Sequence, residues 1–120
     1  MLGDRAGRKV VDLFAILYFI ATHENVQRAD VIEFIRNYLQ LSTDLSPREK
    51  NKKVTDLTVT RQVRLLKNIF KMRITWSHTT GYVVRTWGLL DKDKFFELAP
   101  EMLPDFVLQP EKKESESSPN

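Results

Sequence analysis

A change of hydrophobic period at residue 72 constrains this chain more than any other feature. From Val59, apolar side chains advance by four, three and four residues through Val63 and Leu66 to Phe70. At about 100° per residue these fall within an arc of about 60°, a narrow stripe on one side of a helix. The opposite side of the same cylinder carries Arg61, Arg64 and Asn68, with Thr60, Lys67 and Lys71 along its shoulder. The period then drops to two. Met72, Ile74 and Trp76 alternate with Arg73, Thr75 and Ser77, the pattern of a half-buried strand. Thr79-Thr80-Gly81 supplies a turn, because glycine adopts positive φ without steric cost. The β-branched and aromatic run Tyr82–Trp87 reads as the returning strand, and Gly88 closes the hairpin. A helix apolar behind and cationic in front must lead at once into a hairpin.

Upstream, Val10–Ala21 is apolar nearly all round and interrupted only by Asp12, so it belongs at the centre of the fold. At about a dozen residues it is too short to cross a bilayer. Ala29–Leu41 places Val31, Phe34, Ile35 and Tyr38 on one helical face. Ser46-Pro47-Arg48-Glu49 is a helix start with a mechanism. The Ser46 hydroxyl and the Glu49 carboxylate satisfy each other's backbone N–H, and Pro47 sits where no donor is needed. A short basic helix over about 47–53 follows, and Thr55 or Asp56 offers a second cap. The pattern leaves open whether this helix and the next are separate or fused.

Asp91 caps a short last helix, Lys92–Leu98, which Pro100 is expected to stop. The apolar piece Phe95, Phe96, Leu98, Met102, Leu103, Phe106 and Val107 can fold onto its own core, pair two copies, or meet a protein partner. Residues 1–8 are polar with two glycines and read as a loose lead-in. Residues 109–120 are polar and serine-rich and read as a disordered tail. The expectation is one domain over 9–108. It is mainly α with a small antiparallel β-hairpin (α+β), three to five helices plus a two-stranded wing.

Several function classes drop out on composition. With no cysteine among 120 residues there is no disulfide framework, zinc thiolate site or thiol nucleophile. His23 and His78 stand far apart without companion ligands, so no metal or other cofactor is expected. No glycine-rich phosphate loop, nucleophile elbow or pair of convergent carboxylates is present, and an enzyme is not expected. The amino terminus resembles no secretory signal, which points to a soluble protein inside a cell, cytoplasmic or nucleoid-associated, with no membrane partner.

The net charge of +3 conceals an asymmetry. Ser46–Arg85 holds ten Lys or Arg against two acids, Glu49 and Asp56, whereas the remainder holds nine basic and fourteen acidic residues. A positive segment in an acidic remainder suits a phosphate-bearing partner, because Lys and Arg displace condensed counterions from nucleic acid.

The order of elements resembles the winged helix-turn-helix superfamily. The run Thr58-Val59-Thr60-Arg61-Gln62-Val63-Arg64-Leu65-Leu66-Lys67 is similar to the recognition helix of bacterial regulators of the multiple-antibiotic-resistance type. Gly81-Tyr82-Val83-Val84 resembles the second wing strand of the superfamily. Lys67 and Phe70 stand where that subfamily carries an acidic residue and a glycine, so the resemblance is to the superfamily.

The resemblance implies a sequence-specific double-stranded DNA-binding protein, a transcriptional regulator. The helix near 56–71 would enter the major groove, with the 72–87 hairpin as wing. Carried over by position, Thr60, Arg61 and Arg64 would meet base edges. Lys50, Lys52, Lys53, Lys67, Asn68, Lys71, Arg73, His78 and Arg85 would hold the DNA backbone. Many regulators of this shape pair to read two half-sites, so the 95–107 apolar segment is a candidate surface for a homodimer or a protein partner alongside DNA. The alternative is a winged-helix protein-interaction module or inhibitor within a transcription, replication or other nucleic-acid assembly.

Overall fold

A helix that is apolar all round has to be wrapped, and the rest of the chain wraps it. In the computed structural model, which describes residues 2–108 with side chains from Lys9 onward, α1 (Leu2–Thr22) buries Leu13, Phe14, Ala15, Ile16, Leu17 and Ile20. The expected tail at 109–120 lies outside the described residues. The expected loose lead-in is corrected, because the helix already starts at Leu2. Two glycines cost a helix interior about 1 kcal/mol each, but a helix growing outward from a packed segment gains one hydrogen bond per residue ordered.

α2 (Arg28–Leu41) lays Val31, Ile35 and Tyr38 against α1, and the buried Tyr38 hydroxyl donates to Asp12 Oδ1 at 2.7 Å. Phe34 stacks on Phe19 with ring centres 4.5 Å apart. The polar connection after α2 is folded. Buried Ser42 donates its hydroxyl to the Tyr38 carbonyl at 2.7 Å. α3 (Pro47–Lys50) starts with the expected reciprocal cap, Glu49 N–H to Ser46 Oγ and Ser46 N–H to Glu49 Oε1.

α3 ends at Lys50, short of residue 53. The Asn51 side chain takes the Pro47 carbonyl, and Gln40 Nε2 donates to the Lys50 carbonyl at 2.9 Å. The chain then extends so that Val54 can enter the core. That insertion separates α3 from α4 (Asp56–Phe70), the point the pattern left open. At the head of α4 the Thr55 N–H donates to Thr58 Oγ1 at 3.1 Å.

α4 buries Val59, Val63 and Leu66 as expected and leaves Phe70 half-buried, its ring edge-on to Phe14 at 5.9 Å. β1 (Arg73–Ser77) and β2 (Gly81–Thr86) pair antiparallel, with Ile74 opposite Val84, Trp76 opposite Tyr82, and a bulge between Arg73 and Ile74. Val26, in the α1–α2 turn, adds a single antiparallel bridge to Tyr82.

α5 (Lys92–Met102) runs through Pro100, which corrects the expected stop. Phe95, Ala99, Leu103 and Val107 recur every four residues and are all buried. Carrying the helix one turn further brings Leu103 into the core, and this outweighs the single amide bond that proline removes. Pro104 then opens a one-turn helix, α6 (Asp105–Leu108), one element beyond the five at most that the pattern gives. The apolar C-terminal segment therefore packs largely on its own chain. Phe95 meets Phe14 at 5.2 Å, and Phe106 meets Tyr38 at 5.9 Å.

The described residues thus form a mainly helical α+β layout of six helices and one two-stranded antiparallel hairpin, compatible with a winged-helix-like arrangement. No helix among them is long and apolar enough to cross a membrane.

Gly81 carries the expected positive φ, +67°, and a Cβ there would overlap the Val26 backbone. Gly81→Ala should therefore lower unfolding free energy by roughly 2–4 kcal/mol, from strain and overlap together. Denaturant titration followed by circular dichroism reads the loss.

Candidate nucleic-acid interface

Because its apolar stripe is anchored on α1 and α2, α4 presents a fixed outer face. Leu57, Arg61, Arg64 and Asn68 follow one another there at intervals of four, three and four residues, and all four are exposed. Lys67 and Lys71 are exposed beside them, and Thr60 is half-buried on the shoulder. Among the described residues, Arg61, Arg64, Lys67, Lys71 and Arg73 form no ion pair. Their charges are unspent within the fold.

The helix passes to the hairpin through a left-handed residue. Lys71 sits at φ 53°, ψ 40°, and its N–H and that of Met72 both return to the Lys67 carbonyl. This is an αL helix end, the position that glycine usually fills. The hairpin is tied back to the same spot at its far strand, where the Leu89 N–H donates to the Phe70 carbonyl at 2.6 Å. Gly88 packs there against the Lys71 carbonyl, where a Cβ would overlap it. Arg73 is exposed at the head of β1, and Arg85 Nε donates to Thr75 Oγ1 at 3.1 Å across the strands.

The other end of the hairpin is pinned as well. Tyr82 N–H donates to the Val26 carbonyl at 2.8 Å, and Gln27 Nε2 donates to the His78 carbonyl at 3.2 Å. The Arg28 guanidinium lies 5.1 Å from the centre of the Trp76 ring, a cation–π distance. His78 is exposed with its ring edge-on to Trp76 at 5.0 Å. The Trp76 Nε1–H is buried without an acceptor. Burial pushes the Tyr82 phenol above its ordinary range. Arg28 opposes that shift, and Asp56 at the head of α4 adds to it. The start of α2 and the hairpin turn therefore meet in one cluster.

The expected contact residues divide into two groups. Arg61, Arg64 and Asn68 share the outer face of α4, with Thr60 and Lys67 on one shoulder, Lys71 at the left-handed end of the helix, and Arg73 and Arg85 on the hairpin, whose other end carries His78. Lys52 stands elsewhere. It lines a small cavity between α1, α2 and α4 with Asp12, Thr58 and Gln62, on the flank of α4 opposite Lys67. Lys50 is half-buried, and Lys53 is exposed on the extended chain before Val54.

The sequence expectations omitted two residues. Leu57 is 55% exposed in line with the arginines, and its spacing of four from Arg61 is a signal that could have found it. Arg28 had no such signal, because only the returning hairpin brings Trp76 to it. Compared with known proteins, the chain matches no family model, no curated protein sequence and no solved structure.

Two outcomes follow from this geometry. Lys71→Gly should raise stability by roughly 0.5–1 kcal/mol, because glycine relieves the left-handed strain but loosens the unfolded chain. Thermal unfolding checks it. Tyr82 has a raised folded pKa, so the stability it contributes is complete below about pH 10 and is lost as pH rises through the folded value. Tyr82→Phe should flatten the fall in stability between about pH 9 and pH 11, as read from denaturation midpoints.

Proposed function

We propose that this protein binds double-stranded DNA sequence-specifically and acts as a transcriptional regulator, with α4 in the major groove and the β1–β2 hairpin along the phosphates. The observation that carries the reading is the outer side of α4, where exposed Arg61, Arg64 and Lys67, none in an ion pair, stand on a helix whose back is locked into the core. The core of a face built to meet protein is ordinarily depleted of charge, whereas three of the four residues in the row that begins at Leu57, Arg61, Arg64 and Asn68, are charged or hydrogen-bonding groups. The major groove, about 12 Å wide, admits a helix of this kind.

In this reading Arg61 and Arg64 offer the planar fork that binds guanine O6 and N7, and Thr60 reaches a neighbouring edge. Lys67, Asn68 and Lys71 hold phosphates on one side, and Arg73 and Arg85 hold them from the hairpin. A hairpin tied at both ends suits this role, because a rigid support loses little conformational freedom on binding.

A second reading, a winged-helix interaction module or an inhibitor within a nucleic-acid assembly, draws on one observation. Leu89 is 75% exposed beside the end of α4, with Ile69 half exposed nearby. A partner covering that patch would not need the cationic face.

Titration of labelled duplex DNA at several salt concentrations separates the two. With Lys67, Lys71, Arg73 and Arg85 on phosphates, log affinity should fall against log salt with a slope of roughly −3 to −4. Arg61→Ala with Arg64→Ala should weaken binding by about 10-fold or more while the circular dichroism spectrum is unchanged. No duplex binding at low salt would sink the DNA reading in favour of the interaction module.

A further inference from the structure

We infer that Leu57 reads the 5-methyl group of a thymine, which gives the DNA site a thymine within about two base pairs of the guanine bound by Arg61. This rests on the DNA-binding reading above and makes it more specific. Leu57 lies in the first turn of α4, just past the Thr55 cap, and contributes nothing to the core. It stands on the same line as Arg61 and Arg64, one turn nearer the helix start. One turn is about 5–6 Å of axial rise. The N-terminal residues of a helix lying in the major groove are the ones that reach base edges.

The chemistry of the groove then narrows the choice. Every base edge in the major groove presents polar acceptors or donors, and thymine alone adds an apolar group, the C5 methyl. A leucine pressed on a polar edge would strip water from it and return no hydrogen bond, which is unfavourable. Pressed on a methyl, the same leucine buries apolar surface on both partners. An isolated exposed leucine is common on protein surfaces. This one stands on the face whose other members, Arg61, Arg64 and Asn68, are all hydrogen-bonding groups. Leu89 and Ile69 are exposed as well, but they lie by the far end of α4, off this line.

The test removes only the methyl group. Duplexes enriched by the protein from a random-sequence pool are resynthesised with deoxyuridine replacing thymidine at one position at a time, which deletes the methyl and leaves every hydrogen-bonding group. The wild-type protein should bind about fourfold more weakly when one particular thymidine is replaced, the effect of one buried methyl. Leu57→Ala should bind the thymidine and deoxyuridine duplexes equally, and Leu57→Met should keep the preference. Because Leu57 is exposed, both variants should fold as wild type, which circular dichroism checks.

Duplex binding with no methyl-sensitive position, or with a sensitivity that persists in Leu57→Ala, would overturn the inference and leave the DNA-binding reading intact. Duplex binding that enriches no sequence would also overturn it. Absence of duplex binding at low salt removes the underlying reading, and this inference with it.

Discussion

Burial of α1 on all sides is the constraint on which the other elements depend. Leu13, Phe14, Ala15, Ile16, Leu17 and Ile20 occupy nearly the whole circumference of the helix, so no single neighbour can cover them. Contacts to α1 come from α2, α4, β2, α5 and α6. Each fully buried aliphatic or aromatic side chain contributes roughly 1.5–3 kcal/mol relative to exposure, so the arrangement that covers all of them is strongly favoured over any that leaves a gap. Pro100 shows the strength of this demand. A residue that ordinarily ends helices is carried inside one so that Leu103 and Val107 can reach the core.

The second organising contact is between the α1–α2 turn and the hairpin. Gly81 lies flat on Val26, Tyr82 bridges to it, Gln27 reaches the His78 carbonyl, and Arg28 covers Trp76. At the opposite end, Gly88 and Leu89 close on the last residues of α4. An isolated two-stranded hairpin is at best marginally stable in water, and these two attachments supply what the short ladder lacks. They also relate the hairpin to α4, so that Arg73 and Arg85 follow the helix cations on a rigid frame.

That frame separates the cations by role. On α4 the stripe that faces the core determines by helical geometry which residues face outward, and Arg61, Arg64 and Asn68 do so. Lys50 and Lys52 belong to the same basic stretch of sequence, but the folded connection ties them to the α2 side of the molecule. Nearness in sequence placed them in one charge run, and the course of the backbone divided them.

The sequence by itself determined the local features. The four-three-four spacing after Val59 marks the helix and its outer cations, alternation from Met72 marks β1, and the Ser46–Glu49 pair and Asp91 mark helix starts. Gly81 marks the one glycine of positive φ in the described chain. These signals are legible because each reports how one short segment satisfies its own backbone or orients a single face. Tertiary structure alone decided the continuation of α5 through Pro100, the left-handed turn at Lys71, the insertion of Val54, the bridge from Val26 to Tyr82 and the meeting of Arg28 with Trp76. Each of these depends on a surface supplied by a distant part of the chain. The energy of covering that surface exceeds the local preference that a short stretch of sequence displays.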